Sequence, residues 1–89
     1  MNVHCKITVY GYVQGVGFRY NALRVACHLG LNGFIRNEPD GTVYIEVEGL
    51  PEKIDEYIQW CHRGPVHAEV TGVRHEFGSL QGFAGFSIR

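Results

Sequence analysis

The stretch that decides the fold is VHCKITVYGYVQGVGFRYNALRVACHLG, residues 3–30. At its start Val3, Cys5, Ile7 and Val9 alternate with His4, Lys6, Thr8 and Tyr10. A period of two marks a strand with one face buried. At its end Phe18, Ala22, Val25, Ala26 and Leu29 recur at helical spacing, and Gly30 supplies a C-terminal stop. Between the two lies the Gly-rich bend Gly11-Tyr12-Val13-Gln14-Gly15-Val16-Gly17. The chain therefore runs from a strand through a tight bend straight into a helix.

The remaining sequence repeats the theme. Gly33 to Arg36 reads as a short strand, followed by the turn Asn37-Glu38-Pro39-Asp40-Gly41, in which Pro presets φ. Thr42 to Glu48 alternates again, with Val43, Ile45 and Val47 on one face and Tyr44, Glu46 and Glu48 outward on the other. These two strands form a hairpin. A second helix opens at Pro51, with Glu52, Asp55 and Glu56 near the positive end of its dipole. Ile54, Tyr57, Ile58 and Cys61 make its apolar stripe, and Gly64-Pro65 ends it. Ala68 to Phe77 reads as a strand whose alternation breaks around Gly72, which predicts a bulge. Phe83 to Ile88 reads as a short last strand with Phe86 and Ile88 on one face. The order βαββαβ predicts an α+β, ferredoxin-like sandwich: an antiparallel sheet, two helices on one face, and a short extra C-terminal strand. Right-handed crossovers place the first and second strands parallel with the third between them. Their C-terminal ends then share one edge of the sheet, roughly 10 Å apart.

Composition narrows the class. With 89 residues, 45% hydrophobic and 19% charged, the chain reads as one domain over residues 1–89 and not as a disordered segment. No apolar run reaches the ~18 residues of a membrane span. Lys6 interrupts the N-terminal apolar stretch, so no signal peptide is read and a cytoplasmic protein is expected. Cys5, Cys27 and Cys61 are odd in number and lack C-x-x-C spacing. They suggest neither a disulfide framework nor a zinc site, and are read as small, buried apolar residues. His4, His28, His62, His67 and His75 show no metal-ligand spacing, and His28 and His62 are expected to face solvent. No metal and no cofactor is expected. Charge is uneven. Residues 1–37 carry Lys6, Arg19, Arg24 and Arg36 and no acidic residue, whereas residues 38–89 carry nine acidic and four basic ones. Such a basic half fits an anion site, or surface arginines scattered by chance.

The run Gln14-Gly15-Val16-Gly17-Phe18-Arg19 carries the chemistry. A helix N-terminus offers unpaired N–H groups, and flanking glycines let successive amides converge as an anion nest. Arg19 adds a planar guanidinium able to grip two phosphate oxygens. Together they describe a seat for a phosphoryl group. A Walker loop is excluded because Gly-Lys-Ser/Thr is missing, and a dinucleotide fingerprint because the third Gly is absent. The bland alternative is a tight strand-to-helix turn with a surface Arg. Asn37 ends the second strand on the edge that receives this loop, where its amide can orient a water; alternatively it is a turn residue bonding its own backbone. Phe18 and Tyr20 stand beside the loop as residues able to flank a substrate, with Phe18 also a core candidate.

Gly11-Tyr12-Val13-Gln14-Gly15-Val16-Gly17-Phe18-Arg19, with Gly33-Phe34-Ile35-Arg36-Asn37 and Asp40-Gly41-Thr42-Val43, resembles the two signatures of the acylphosphatases. The likeness continues through Leu29-Gly30-Leu31, Gly64-Pro65 and the Phe86 region, so it spans nearly the whole chain. Ile35 stands where a smaller residue is usual, and Tyr44 where an acidic one is common. The resemblance implies a small cytosolic hydrolase that cleaves the carboxyl–phosphate bond of acyl phosphates without a metal. It further implies that Arg19 binds the phosphate and Asn37 orients the attacking water. The residues suit that reaction. A carboxylate of pKa near 4 leaves without a strong general acid, and phosphoryl transfer needs chiefly charge stabilisation and positioning.

Two other classes compete. A non-catalytic module binding acyl or carbamoyl phosphate would use the same loop. Because the sequence stops at residue 89 without a further domain, a free-standing enzyme is expected, acting as a monomer on a small-molecule substrate. An RNA-binding ferredoxin-like domain needs exposed aromatics and basic residues on its central strands. Here Glu46 and Glu48 on the third strand would repel phosphate, so no nucleic-acid partner is expected.

Overall fold

The computed structural model describes every residue from Met1 to Arg89. The chain forms β1 (Val3–Tyr12), α1 (Phe18–His28), β2 (Asn32–Asn37), β3 (Val43–Gly49), α2 (Pro51–Arg63), β4 (Glu69–Gly78) and β5 (Phe86–Ile88). The strands make one sheet in the order β4-β1-β3-β2-β5. β3 pairs antiparallel with both β1 and β2, so β1 and β2 run parallel on either side of it, as the crossover rule requires. Val9 and Asn37 both oppose Val43, which puts the outgoing ends of β1 and β2 at the same edge.

The helices lie over one face of the sheet. Cys5, Ile7 and Val9 of β1, Ile35 of β2, and Val43, Ile45 and Val47 of β3 form the sheet side of the core. Phe18, Ala22 and Ala26 of α1 and Ile54, Tyr57, Ile58 and Cys61 of α2 close it. Each fully buried aliphatic or aromatic side chain contributes about 1.5–3 kcal/mol. The Tyr57 hydroxyl is satisfied by the Ala22 carbonyl at 3.1 Å, so the largest core residue leaves no orphan donor.

Several expectations are corrected in detail. The sheet is mixed, not purely antiparallel, because β5 joins the edge parallel to β2, pairing Ile88 with Ile35. That strand starts at Phe86, not Phe83, because residues 79–83 cross the open face of the sheet. The bulge in β4 is present: Tyr10 opposes Gly72 and Gly11 opposes Val70, leaving Thr71 as the extra residue. Cys27 is exposed. It follows Ala26 by one position on α1, and that 100° turn carries it off the stripe formed by Phe18, Ala22 and Ala26. Glu48 does point to the open face, but it is buried, 4% exposed, beneath the C-terminal segment. No helix is long and apolar enough to cross a membrane.

Candidate active site

β1 feeds a five-residue bend into α1, and the bend is shaped by two glycines. Gly15 has φ 75° and Gly17 φ 79°, the left-handed region in which a Cβ would be strained. Gly17 is the N-cap of α1 and offers no capping side chain, and the first turn carries no acidic residue. The first helical hydrogen bond runs from the Asn21 amide to the Gly17 carbonyl at 3.1 Å. The amides of Phe18, Arg19 and Tyr20 therefore have no intrahelical acceptor. None of the amides from Val13 to Gly17 donates a backbone hydrogen bond either. A row of free donors at the positive end of a helix dipole is suited to an anion.

These donors border a cleft of about 210 Å³ lined by Gly15, Gly17, Arg19, Tyr20, Asn37 and Ile88. Val13 and Phe18, each 1% exposed, form its apolar floor. Arg19 is the only charged residue of the cleft. No carboxylate pairs with its guanidinium. The other basic residues of the N-terminal half are elsewhere. Arg36 is held by Glu38 at 2.6 Å and lies over the Tyr44 ring at 5.0 Å. Arg24 borders a separate hollow of about 440 Å³ between α1 and α2, and Lys6 one of about 470 Å³ on the open sheet face. The excess positive charge of residues 1–37 is thus dispersed, and a single cation of that set reaches the cleft.

Asn37 lines the same cleft. It ends β2, opposite Val43, and its Oδ1 is buried with no hydrogen-bond partner. A buried amide oxygen without a donor is costly by about 1–3 kcal/mol unless a ligand or water satisfies it. Its side chain does not bond its own backbone, so the turn-residue alternative fails. The turn that follows is fixed instead by Asp40, whose carboxylate accepts from the Thr42 hydroxyl at 2.7 Å and the Thr42 amide at 3.0 Å. Those bonds hold its carboxyl below the usual carboxylate range.

The expected set Gln14, Gly15, Val16, Gly17, Phe18, Arg19 and Asn37 is brought together in part. Gln14 and Val16 do not line the cleft. The Gln14 side chain turns away and donates to the Glu38 carbonyl at 2.8 Å and the Thr42 carbonyl at 2.9 Å, which ties the bend to the β2–β3 turn. Val16 packs against the core. Phe18 faces the core as well, so only its backbone amide is available to a ligand. The cysteines lie apart from the cleft. Burial pushes the Cys5 and Cys61 thiols up, away from the thiolate a nucleophile needs. No group of three or more His, Cys, Asp or Glu side chains is placed to hold a metal ion.

Two features were invisible in the sequence. One is Ile88, which reaches the cleft only because β5 pairs with β2. The other is a buried charged cluster on the open face. His4, 1% exposed, hydrogen-bonds Glu48 through Nδ1 at 2.7 Å, while its Nε2 lies 3.1 Å from a Glu46 oxygen without hydrogen-bonding to it. Glu48 also accepts the amides of Gln81, Gly82 and Phe83. Burial alone would raise its pKa, but the three amides and His4 outweigh that and hold it below the ordinary carboxylate value. The available signal was register: once the two alternating strands are paired, His4 falls opposite Glu48.

Comparison with known proteins agrees with the geometry. The family model described as Acylphosphatase matches residues 5–88. An acylphosphatase of Thermococcus kodakarensis is 44% identical over 86 residues, covering 97% of this chain and 94% of that protein. The crystal structure of acylphosphatase from Bacillus subtilis has a TM-score of 0.96 at 34% identity, over 98% of both chains. An acylphosphatase structure from Coxiella burnetii also gives 0.96, at 31% identity, over 99% of this chain and 93% of that one.

Proposed function

The chain belongs to the acylphosphatase family and hydrolyses acyl phosphates, and from that premise we propose how its residues divide the work. The phosphoryl group sits in the bend between β1 and α1. Its oxygens take the free amides of residues 15–19 and the forked guanidinium of Arg19. Asn37 accepts a hydrogen bond from a water through Oδ1 and so aims its oxygen at phosphorus, in line with the leaving group. A new P–O bond forms as the carboxyl–phosphate bond breaks. The products are a carboxylate and inorganic phosphate, with the water's proton passing to phosphate or solvent. The leaving carboxylate is a weak base and needs neither a strong acid nor a metal to depart. Fixed donors aimed at the equatorial oxygens provide the charge stabilisation such a transition state requires.

One observation carries this reading. An Arg with no carboxylate partner and an Asn with an orphaned buried oxygen line one cleft, beside a helix N-terminus without a cap. Three unpaired cysteines fit a reducing compartment, so we place its action in the cytoplasm. Glu46 and Glu76 are interleaved with Lys6 and Arg74 on the open sheet face, so it is not the uniformly basic surface that attracts a nucleic acid.

The test is hydrolysis of acetyl phosphate in excess chelator. Arg19→Ala is expected to lose at least about 10²–10³ in kcat, the usual cost of one transition-state donor. Arg19→Lys is expected to be severely impaired too, because a point charge cannot replace the bidentate grip. Activity retained by either variant, or wild-type activity lost in chelator, refutes the assignment.

A further inference from the structure

The hollow between α1 and α2 lies apart from the phosphate cleft, and the two share no lining residue. Arg24 and His28 of α1 and Arg63 of α2 border it, and Trp60, Val25 and Leu29 supply its apolar surface. The chain has nine acidic residues, yet no carboxylate pairs with Arg24 or Arg63. Glu56, the only acid of the lining, is engaged by Lys53 at 3.4 Å. Arg24 instead places its guanidinium over the Tyr20 ring, 5.9 Å from the centroid. The nearby Asn21 amide is committed to the Gly17 carbonyl at 2.8 Å. Two guanidinium groups without partners at one concave site leave a positive potential there. Trp60 is half-buried and anchored by Phe18, ring centroids 5.2 Å apart, and by Tyr57 at 6.3 Å. The indole is thus held in place while part of it stays open to solvent.

We propose that this hollow is a second binding site, which takes a small aromatic ligand bearing an oxyanion. Arg24 and Arg63 grip the carboxylate or phosphate oxygens, each presenting a planar fork of donors. The ring packs on Trp60, as flat aromatic groups do on exposed indoles, and covers Val25 and Leu29. The volume of about 440 Å³ falls in the range of about 300–1,000 Å³ usual for small-molecule sites. A purely apolar ligand would desolvate two charges without pairing them. A bare inorganic anion would leave the indole uncovered. Only a ligand with both features answers both halves of the lining. Aryl carboxylates and nucleoside monophosphates share this chemistry.

Trp60 is the only tryptophan of the chain, so its fluorescence, excited beyond the tyrosine band, reports on the hollow. Adenosine monophosphate and benzoate are titrated into the wild type, with adenosine, benzamide and inorganic phosphate as controls. Because Trp60 also packs on Phe18 at the bend, a phosphate bound there would reach the same indole indirectly. The titrations are therefore repeated in Arg19→Ala. At least one aromatic anion is expected to saturate the signal in both proteins, more tightly than its uncharged counterpart and than phosphate. The tighter of the two identifies the source. Arg24→Gln and Arg63→Gln should each weaken it roughly tenfold, the loss of one charge-assisted hydrogen bond, while acetyl phosphate hydrolysis is retained. Amide shift mapping gives a second reading, with changes expected around Arg24, His28, Trp60 and Arg63. Binding that vanishes in Arg19→Ala but survives both Gln variants places the ligand in the bend and overturns the proposal. Equal affinity for the charged and uncharged partner of each pair overturns it too, as does the failure of both anions to saturate at millimolar concentration.

Discussion

Removing the Glu48 carboxylate tests whether the buried cluster on the open face holds the C-terminal segment to the sheet. In Glu48→Ala the His4 Nδ1, now 2.7 Å from a carboxylate oxygen, loses its partner in a site 1% exposed. The amides of Gln81, Gly82 and Phe83 lose their acceptor as well. Gln81 and Gly82 are exposed, so water can satisfy their amides and those losses are small. The imidazole cannot be rehydrated without opening the segment. Leaving a buried polar group without its hydrogen-bond partner costs about 1–3 kcal/mol. We take about 3 kcal/mol, the upper end, because the lost acceptor is a carboxylate. For a chain of this size, each kcal/mol moves Tm by about 4–8 °C, so a fall of roughly 15 °C is expected. Glu48→Gln keeps one acceptor oxygen and the shape, and should lose less. The pH dependence has a definite sign. The folded-state pKa of Glu48 lies below its ordinary value of 4.5, so its stabilisation is complete above that pH and is lost as pH falls through the lower folded value. Urea unfolding followed by circular dichroism at pH 7 and through the acid range gives both quantities. A loss under about 1 kcal/mol in Glu48→Ala refutes the latch. Parallel acid limbs for wild type and Glu48→Gln would equally show that this carboxylate does not carry the titration.

Three further outcomes are expected. Asn37→Ala should lower kcat by about 10²-fold while inhibition by inorganic phosphate changes little, and loss of phosphate binding together with turnover would remove its water-positioning role. Gly17→Ala, at φ 79° and with Asn21 Nδ2 3.4 Å from the new methyl, should cost about 1–2 kcal/mol in urea unfolding, and a neutral effect would show that the bend tolerates a side chain. An aromatic disulfide reagent should titrate Cys27 alone in the native protein and all three cysteines in denaturant, because Cys5 and Cys61 are buried with raised thiol pKa values. Rapid native reaction at Cys61 would contradict the packing of α2 on the sheet.

The parts legible in the sequence are those written as local period or local backbone demand. Alternation in β1 and β3, the stripe of α2 and the Gly15/Gly17 bend all follow from spacing alone, and the corresponding elements match closely. The placement of β3 between parallel β1 and β2 followed too, since handedness leaves few ways to connect βαβ units. The candidate site was half legible. Arg19 and the amides sit within six residues of one another, so their association is local. The direction of the Gln14 side chain was not legible, because it bridges to the Glu38 and Thr42 carbonyls, 24 and 28 residues away. The basic excess of residues 1–37 was misleading for a related reason: a charge count ignores direction, and the strands and helix send Lys6, Arg24 and Arg36 to three different surfaces.

The amino-acid order by itself determined a strand, a glycine-shaped bend and an uncapped helix start, because φ preference and hydrophobic period act between near neighbours. It could not determine that Asn37 would be left with an unpaired buried oxygen, that Glu48 would be buried against His4, or that Ile88 would enter the cleft. Those depend on register and on an edge strand arriving from the far end of the chain. Their energies come from contacts between residues tens of positions apart, which only the closed sheet brings within reach.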